Sequence, residues 1–390
     1  MEAHNMPQDN PMGAGHQMEP LGEAAASRGL GGWLNERLSL DTFRYEVPAH
    51  ANTFFYTLGG ITMVCVGILA VTGILMTQFY TPVPEMANWS VRSLTMRPFL
   101  GSVLRGIHYW TAQVVFVTLI LHLMRVFFTG SYHRPREANW LIGVVLAGLM
   151  GALYFTGTVL KWDQESFEAL EHMVAATKLA GPLGFLFSDK FGAGSALLTR
   201  VASLHFVVLP LILLLFLGAH MLLIKKLGIS PLPWKTKAEI APEGATGEPA
   251  GAPVTLANSH AKVAKRHTFD RHIKKLVGYG YAVFGLVLAL AVLFPPKIGA
   301  YPVAGIEVTR PPWVFMWIYS IENWFQIKGL VVVTTLLGLL AVAVPFVDRA
   351  KTQSLKDRRW ILVAGGLIAV ALVFLAMNAY VAKPASHLGM

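Results

Sequence analysis

Four histidines lie inside long apolar stretches of the chain: His108 and His122 in one, His205 and His220 in another. The thirteen residues between His108 and His122 carry no charge at all. Polar side chains at membrane depth are costly, and they face the interior of a helix bundle for a reason. A step of 14 returns a helix to within about 40° of the same face after about 21 Å, and a step of 15 to within about 60°. Each stretch therefore presents two imidazoles on one face, near opposite ends. Metal–nitrogen bonds of about 2.0–2.1 Å require two ligands of one ion to lie within about 4 Å of each other, so one helix cannot hold one metal with its own pair. The two helices are separated by a single crossing and run in the same direction, which brings His108 level with His205 and His122 level with His220. Two stacked bis-histidine sites result. A group that fits between parallel helices and takes an axial nitrogen from each is haem. The alternative is four independent interhelical hydrogen bonds.

Glycines repeat the same interval on the neighbouring stretches: Gly59 and Gly73 before the first histidine helix, Gly143 and Gly157 after it. A flat macrocycle against a helix needs positions without Cβ, and small residues permit close approach in membranes. Arg105 lies one turn before His108 and Arg125 one turn after His122, each on its histidine's face, where haem propionates need a cation. The same arginines also suit the ends of a membrane span.

The elements that must position these residues follow from composition. Of 390 residues 54% are hydrophobic and 14% charged, against roughly 25% charged in soluble domains. The expected fold class is all-α, a polytopic membrane protein. Apolar runs able to cross a bilayer, which takes about 20 residues, fall at 54–79, 105–128, 140–160, 199–224, 276–294, 329–347 and 361–382. Lys and Arg concentrate after the second, fourth and sixth spans, which puts those loops and the N-terminus in the cytoplasm and the C-terminus outside. The net charge of +10 is thus a topology signal set near anionic lipid headgroups, and no nucleic-acid partner is expected. Residues 1–28 lack the features of a signal peptide and are expected to be a disordered tail. Four spans occupy 29–229, a Pro-, Ala- and Gly-rich cytoplasmic linker 230–268, and three spans 269–390. The single cysteine, Cys65, can form no intrachain disulfide.

The residues resemble cytochrome b of the bc/bf-type quinol oxidoreductases, most closely the bf branch, in which a four-span haem subunit is followed by a separate three-span subunit four. The resemblance rests on "WLNERLSL" at 33–40, "FYTLGGITMVC" at 55–65, "LHLMRVFFTGSYHRPRE" at 121–137, "GVVLAGLMGALYFTGTVLKWDQ" at 143–164 and "LTRVASLHFVVLPLILLLFLGAHMLLIKKLGIS" at 198–230, with the 14 and 15 histidine spacings of that branch. Beyond 269 it rests on three spans, "TRPPWVFMWIY" and "VPFVD".

The resemblance implies a Q cycle. Quinol is oxidised near the outer surface, one electron passing to a Rieske-type iron–sulfur protein and on to a c-type cytochrome or equivalent acceptor. The other passes through low-potential haem b (His108/His205) to high-potential haem b (His122/His220), which reduces quinone near the cytoplasm. It also implies a homodimeric complex, here expected in a bacterial inner membrane. Lys225 matches a basic residue beside the inner quinone site, and Pro311, Pro312 and Trp313 match the outer one. Two departures stand out. The bf branch attaches an extra haem through a cysteine where this chain has Thr57, so two haems b and no covalent haem c are expected. The family's Pro-Glu-Trp-Tyr reads Pro311-Pro312-Trp313-Val314, which removes the carboxylate taken to accept a quinol proton. Glu165 and Glu168, on the segment after the third span, are the expected replacements. Two other readings remain open: a diheme quinone-reactive conduit that does not split electrons, favoured by the lost glutamate, and a non-haem transporter or scaffold.

Overall fold

A computed structural model describes residues 29–38, 46–97, 100–179, 181–188, 191–192, 194–230, 266–350, 353–382 and 387. The expected N-terminal tail and all but the ends of the expected linker lie outside them. Residues 1–45 and 46–390 form separate units. In the first, helix α1 (Leu30–Leu38) sets Arg37 over the Trp33 ring.

Among the described residues the second unit is mainly helical, with one short antiparallel pairing of β1 (Glu46–Pro48) with β2 (Arg266–Thr268). Among the described residues, seven helices are long and apolar enough to cross a bilayer: α2 (Phe54–Thr77), α4 (Gly101–Phe128), α5 (Glu137–Val159), α7 (Leu197–Leu227), α8 (within Phe269–Leu293), α9 (Met316–Val347) and α10 (Arg359–Val381). Two further helices, α3 (Pro84–Met96) and α6 (Gln164–Lys178), lie between spans on the side away from the basic loops. That side is called outer below. Helix α6 begins where the Asp163 carboxylate accepts from the Ser166 N–H at 3.1 Å, an N-cap that satisfies an otherwise orphan donor.

The four-span part is built from two pairs. Helix α2 packs along α4, and α5 along α7, while α4 and α7 are not close neighbours among the described residues. Between the levels of the histidines the bundle is filled by Cys65, Val115, Phe116, Leu146, Met150 and Leu213, all buried.

Two backbone features depart from the sequence expectation. The fourth span contains a π-turn at Leu204–Val208, in which the Leu209 N–H reaches back five residues to the Leu204 carbonyl. Pro210 follows it; a proline has no N–H to continue the ladder and its ring crowds the carbonyl four residues before it, which the wider turn relieves. The sixth span starts earlier than 329. Helix α9 runs from Met316 and is interrupted at Gln326, which has φ 57° and ψ −167°. A side chain at such a backbone angle is strained, so α9 is two helical pieces, the first roofing the outer side.

The three-span part is tied to the four-span part at both surfaces. On the inner side the fully buried Arg358 donates to Asp348 (Nε, 2.8 Å), to the carbonyls of Phe128 and Phe127 at the end of α4 (2.9 and 2.7 Å), and to the Tyr132 hydroxyl (2.7 Å). Tyr132 in turn donates to Asp348 at 2.6 Å. Burial pushes the Asp348 carboxyl up, but the bonds from Arg358 and Tyr132 and the charges of His133 and Arg358 outweigh it and hold it below the usual range. On the outer side Asp163 accepts from the Gly299 N–H at 2.9 Å, and Gln164 accepts from the Val303 N–H at 2.7 Å.

Candidate functional site

Two regions carry chemistry: the interior of the four-span bundle and a cavity at its outer end. In the bundle each histidine ring lies against one of the glycines. A Cβ built on Gly59 would stand 2.9 Å from His122, on Gly73 3.3 Å from His108, on Gly143 3.7 Å from His220, and on Gly157 3.0 Å from His205. What the glycines admit is therefore the imidazole edge, rather than the macrocycle face expected from sequence. His108 lies within electrostatic range of His205, and His122 of His220.

The π-turn explains the unequal histidine spacing. It begins one residue before His205 and adds one residue to the helix, so the step of 15 in α7 acts as a step of 14 and keeps both imidazoles on one face.

The outer pair is anchored more firmly than the inner. His108 Nδ1 is 2.9 Å from the Thr72 hydroxyl and His205 Nδ1 2.9 Å from the Thr156 hydroxyl, each threonine directly preceding the glycine that seats the ring. Both hydroxyl protons are already directed at backbone carbonyls, Ile68 at 2.7 Å and Ala152 at 2.8 Å. The hydroxyls therefore accept from the rings, which places the ring proton on Nδ1 and leaves the Nε2 lone pair for a metal. Leu58 and Ile142 take the threonines' places at the inner level, and His122 Nδ1 has no hydrogen-bond partner among the described residues. Facing glycines at both levels, with Nδ1 anchored at the outer one, fit haem between the two histidine helices.

The arginines behave differently from one another. Arg105 is buried and donates to the carbonyls of Pro296 and Lys297 at 2.6 and 3.2 Å, so it tethers the loop after α8 as well as lying near the outer level. Arg125 lies over the Tyr56 ring at 4.5 Å and donates to Ser131 at 3.3 Å, with its Nε unpartnered. Lys225 is exposed in the last turn of α7 on the inner side.

At the outer end a cavity of about 380 Å³ opens between α5, α6, the 307–312 segment and the first piece of α9. Both Pro311 and Pro312 line it, as do Phe155, Phe315 and Tyr319, with Glu165, Glu168, His172, Glu307 and Glu322 as its ionisable groups. Trp313 is not among the lining residues; its indole N–H donates to Gln113 of α4 at 2.7 Å. Helix α5 links the regions: Gly157 seats His205, and the adjacent Thr158 lines the cavity. Sequence reasoning found Glu165, Glu168 and the two prolines but missed Glu307 and Glu322. The available signal was one carboxylate inside "MWIYSIENWF", a run that was read as preceding the sixth span.

A family model described as cytochrome b/b6/petB matches residues 43–228. The cytochrome b6 of Heliomicrobium gestii is 35% identical over 208 residues, 51% of this chain and 98% of that protein. A cytochrome bc complex cytochrome b subunit of Chlorobaculum thiosulfatiphilum is 31% identical over 369 residues, 90% of this chain and 80% of that one. Among solved structures, a chain of "Hyperthermophilic respiratory Complex III" superposes with a TM-score of 0.70 at 21% identity over 92% of this chain and 93% of its own, a likeness of fold.

The glycine distances rank three substitutions. Gly59→Ala and Gly157→Ala place a methyl within 3.0 Å of a ring and are expected to reduce the bis-histidyl absorption of the purified protein, whereas Gly143→Ala at 3.7 Å is expected to keep it. Equal spectra for all three would show that the rings do not need these seats.

Proposed function

The chain belongs to the cytochrome b/b6 family, and we propose that it is the haem- and quinone-binding subunit of a proton-translocating quinol oxidoreductase, with two haems b stacked across the membrane. The observation that carries this reading is the pairing of His108 with His205 and His122 with His220, each ring on its own glycine. Bound haem supplies a reversible one-electron couple at each level. The protein's own residues hold the irons through Nε2, set ring orientation through Nδ1 and keep the layer between the levels dry. Arg125, with its free Nε, is the proposed propionate partner at the inner level, and Arg105 at the outer. The outer cavity is the proposed quinol site, the region near Lys225 the inner quinone site. A Rieske-type iron–sulfur protein and a c-type cytochrome or equivalent acceptor are the proposed partners, in a homodimeric complex of a bacterial inner membrane with the basic loops in the cytoplasm. The domain limits at 29–229 and 269–390 are part of the same reading.

No covalent haem is proposed. Thr57 has no thiol, its hydroxyl donates to the Phe54 carbonyl at 2.8 Å, and Cys65 is fully buried in the midplane layer. A conduit that does not split electrons is favoured by one observation, the proline at 312 in the outer cavity; co-purification of an iron–sulfur protein decides against it.

Level pairing leads to a direct test. His108→Leu and His205→Leu are expected to abolish one spectral component, and His122→Leu and His220→Leu the other. Loss of the same component from His108→Leu and His220→Leu would contradict the pairing.

The threonines bear on potential. An Nδ1–H that donates to a hydroxyl makes the imidazole a stronger donor to iron and favours the oxidised metal. Thr72→Val and Thr156→Val are therefore expected to raise the midpoint of the outer haem and leave the inner one in place, read by potentiometric titration. Unchanged midpoints, or a shift confined to the inner haem, would remove the threonines from this role.

A further inference from the structure

Proline at 312 leaves the outer cavity without the carboxylate that the family's motif supplies, and a quinol proton needs an acceptor within about 3 Å or one water. Four carboxylates line the cavity, and their surroundings separate them.

Glu168 is buried but fully engaged. It accepts from the Gln164 amide at 2.8 Å, from the main-chain N–H groups of Val308 and Thr309 at 3.0 and 2.9 Å, and from the Thr309 hydroxyl. Four donors make it a clamp between α6 and the 307–309 segment. Glu165 forms an ion pair with Lys161 at 2.6 Å near the solvent edge. Glu307 accepts from the His387 main-chain N–H at 2.7 Å and lies 2.8 Å from His387 Nδ1 and 3.0 Å from His172 Nε2. Burial pushes Glu307 up, but His387 and the charge of His172 outweigh it and hold it below the ordinary range.

Glu322 differs from all three. It is 3% exposed, its Oε1 has no hydrogen-bond donor among the described residues, and His172 Nε2 lies 3.4 Å from it. A carboxylate buried without donors gains little by staying ionised and is ready to take a proton. His172 is set to relay it. Its Nδ1 faces the Glu168 carbonyl at 2.7 Å, which orients the ring with Nε2 between Glu307 at 3.0 Å and Glu322 at 3.4 Å. His172, Glu322 and His387 each bring a side-chain atom within 4.8 Å of the others.

We propose that Glu322 is the proton acceptor of the outer cavity, passing its proton through His172 Nε2 to Glu307 and His387. The proposal rests on reading the cavity as the quinol site. Quinol oxidation releases two protons and two electrons: one proton goes from a quinol hydroxyl to the Glu322 carboxylate, the other leaves with the electron taken by the iron–sulfur partner, and the remaining electron would pass to the outer haem. The ionisable groups around Glu322 are His172 from α6, Glu307 from the preceding segment and His387 from the C-terminal segment, with Glu165 and Glu168 of α6 lining the same cavity. Glu171 does not line the cavity, and burial raises its pKa.

The test uses the purified complex, a short-chain quinol and haem reduction followed in a stopped-flow instrument across a pH series. In the parental protein the rate should fall on the acid side, as the acceptor fills with protons. Glu322→Gln is expected to slow haem reduction by about 100-fold or more, to abolish that acid limb, and to leave haem content and midpoints unchanged. His172→Phe should also slow it, and Glu168→Gln should retain the acid limb. If Glu322→Gln loses haem, Glu322→Asp serves, with a slower rate and a displaced pH profile expected. Parental rate and profile in Glu322→Gln or Glu322→Asp would overturn the assignment, as would loss of the acid limb in Glu168→Gln alone. A parental complex whose haems are reduced by dithionite but never by quinol would instead overturn the reading of the cavity, and the proposal with it.

Discussion

Four imidazole rings seated on four glycines set the spacing of the bundle. A histidine at membrane depth has to place its polar nitrogens, and a ring cannot come within bonding reach of a neighbouring helix if a Cβ stands in the way. With glycine at 59, 73, 143 and 157, α4 is drawn onto α2 and α7 onto α5. The two histidine helices are then left facing one another without packing together. The proposed haem sites follow from that spacing. So does the apolar layer around Phe116 and Leu213 that separates the two levels and in which an unpaired polar group would be costly.

The outer cavity depends on a different constraint, the joining of the four-span and three-span parts. Its walls come from α5 and α6 on one side and from 307–322 on the other, so neither part contains it alone. Glu168 holds the 307–309 segment against α6, and Asp163 holds Gly299. At the opposite surface Arg358 closes the last carbonyls of α4 and pairs with Asp348, which keeps α9 and α10 in place. Residues read as chemistry on the outer side can thus be structural, and Glu168 is the clearest instance. A buried carboxylate that already accepts from four donors is an anchor, while the one that accepts from none is the reactive candidate.

Much of this was legible in the sequence because membrane spans and ligand spacing are local signals. The seven spans were readable from apolar length, and the histidine and glycine intervals singled out the residues that meet, although the glycines seat imidazole rings and not the macrocycle face the spacing suggested. The step of 15 in the fourth span was readable only as an approximate match. The π-turn that corrects it comes from crowding at Pro210 and is not encoded in periodicity. The sixth span was read too short because Glu322, Asn323, Gln326 and Lys328 lower the hydropathy of a segment that is nevertheless helical up to the break at Gln326. Glu307 and His387 lie far from His172 in the chain, and no spacing rule connects them to it. The direction of the two threonine hydroxyls also required coordinates, since their proton acceptors are carbonyls one turn back.

The measurement that bears most directly on the two-level arrangement is a potentiometric titration of the purified complex, followed in the haem absorption bands. Two bis-histidyl components of equal amplitude with separate midpoints are expected, the lower belonging to the threonine-anchored outer pair. A single component, or no haem absorption in protein that is folded and assembled, would contradict it.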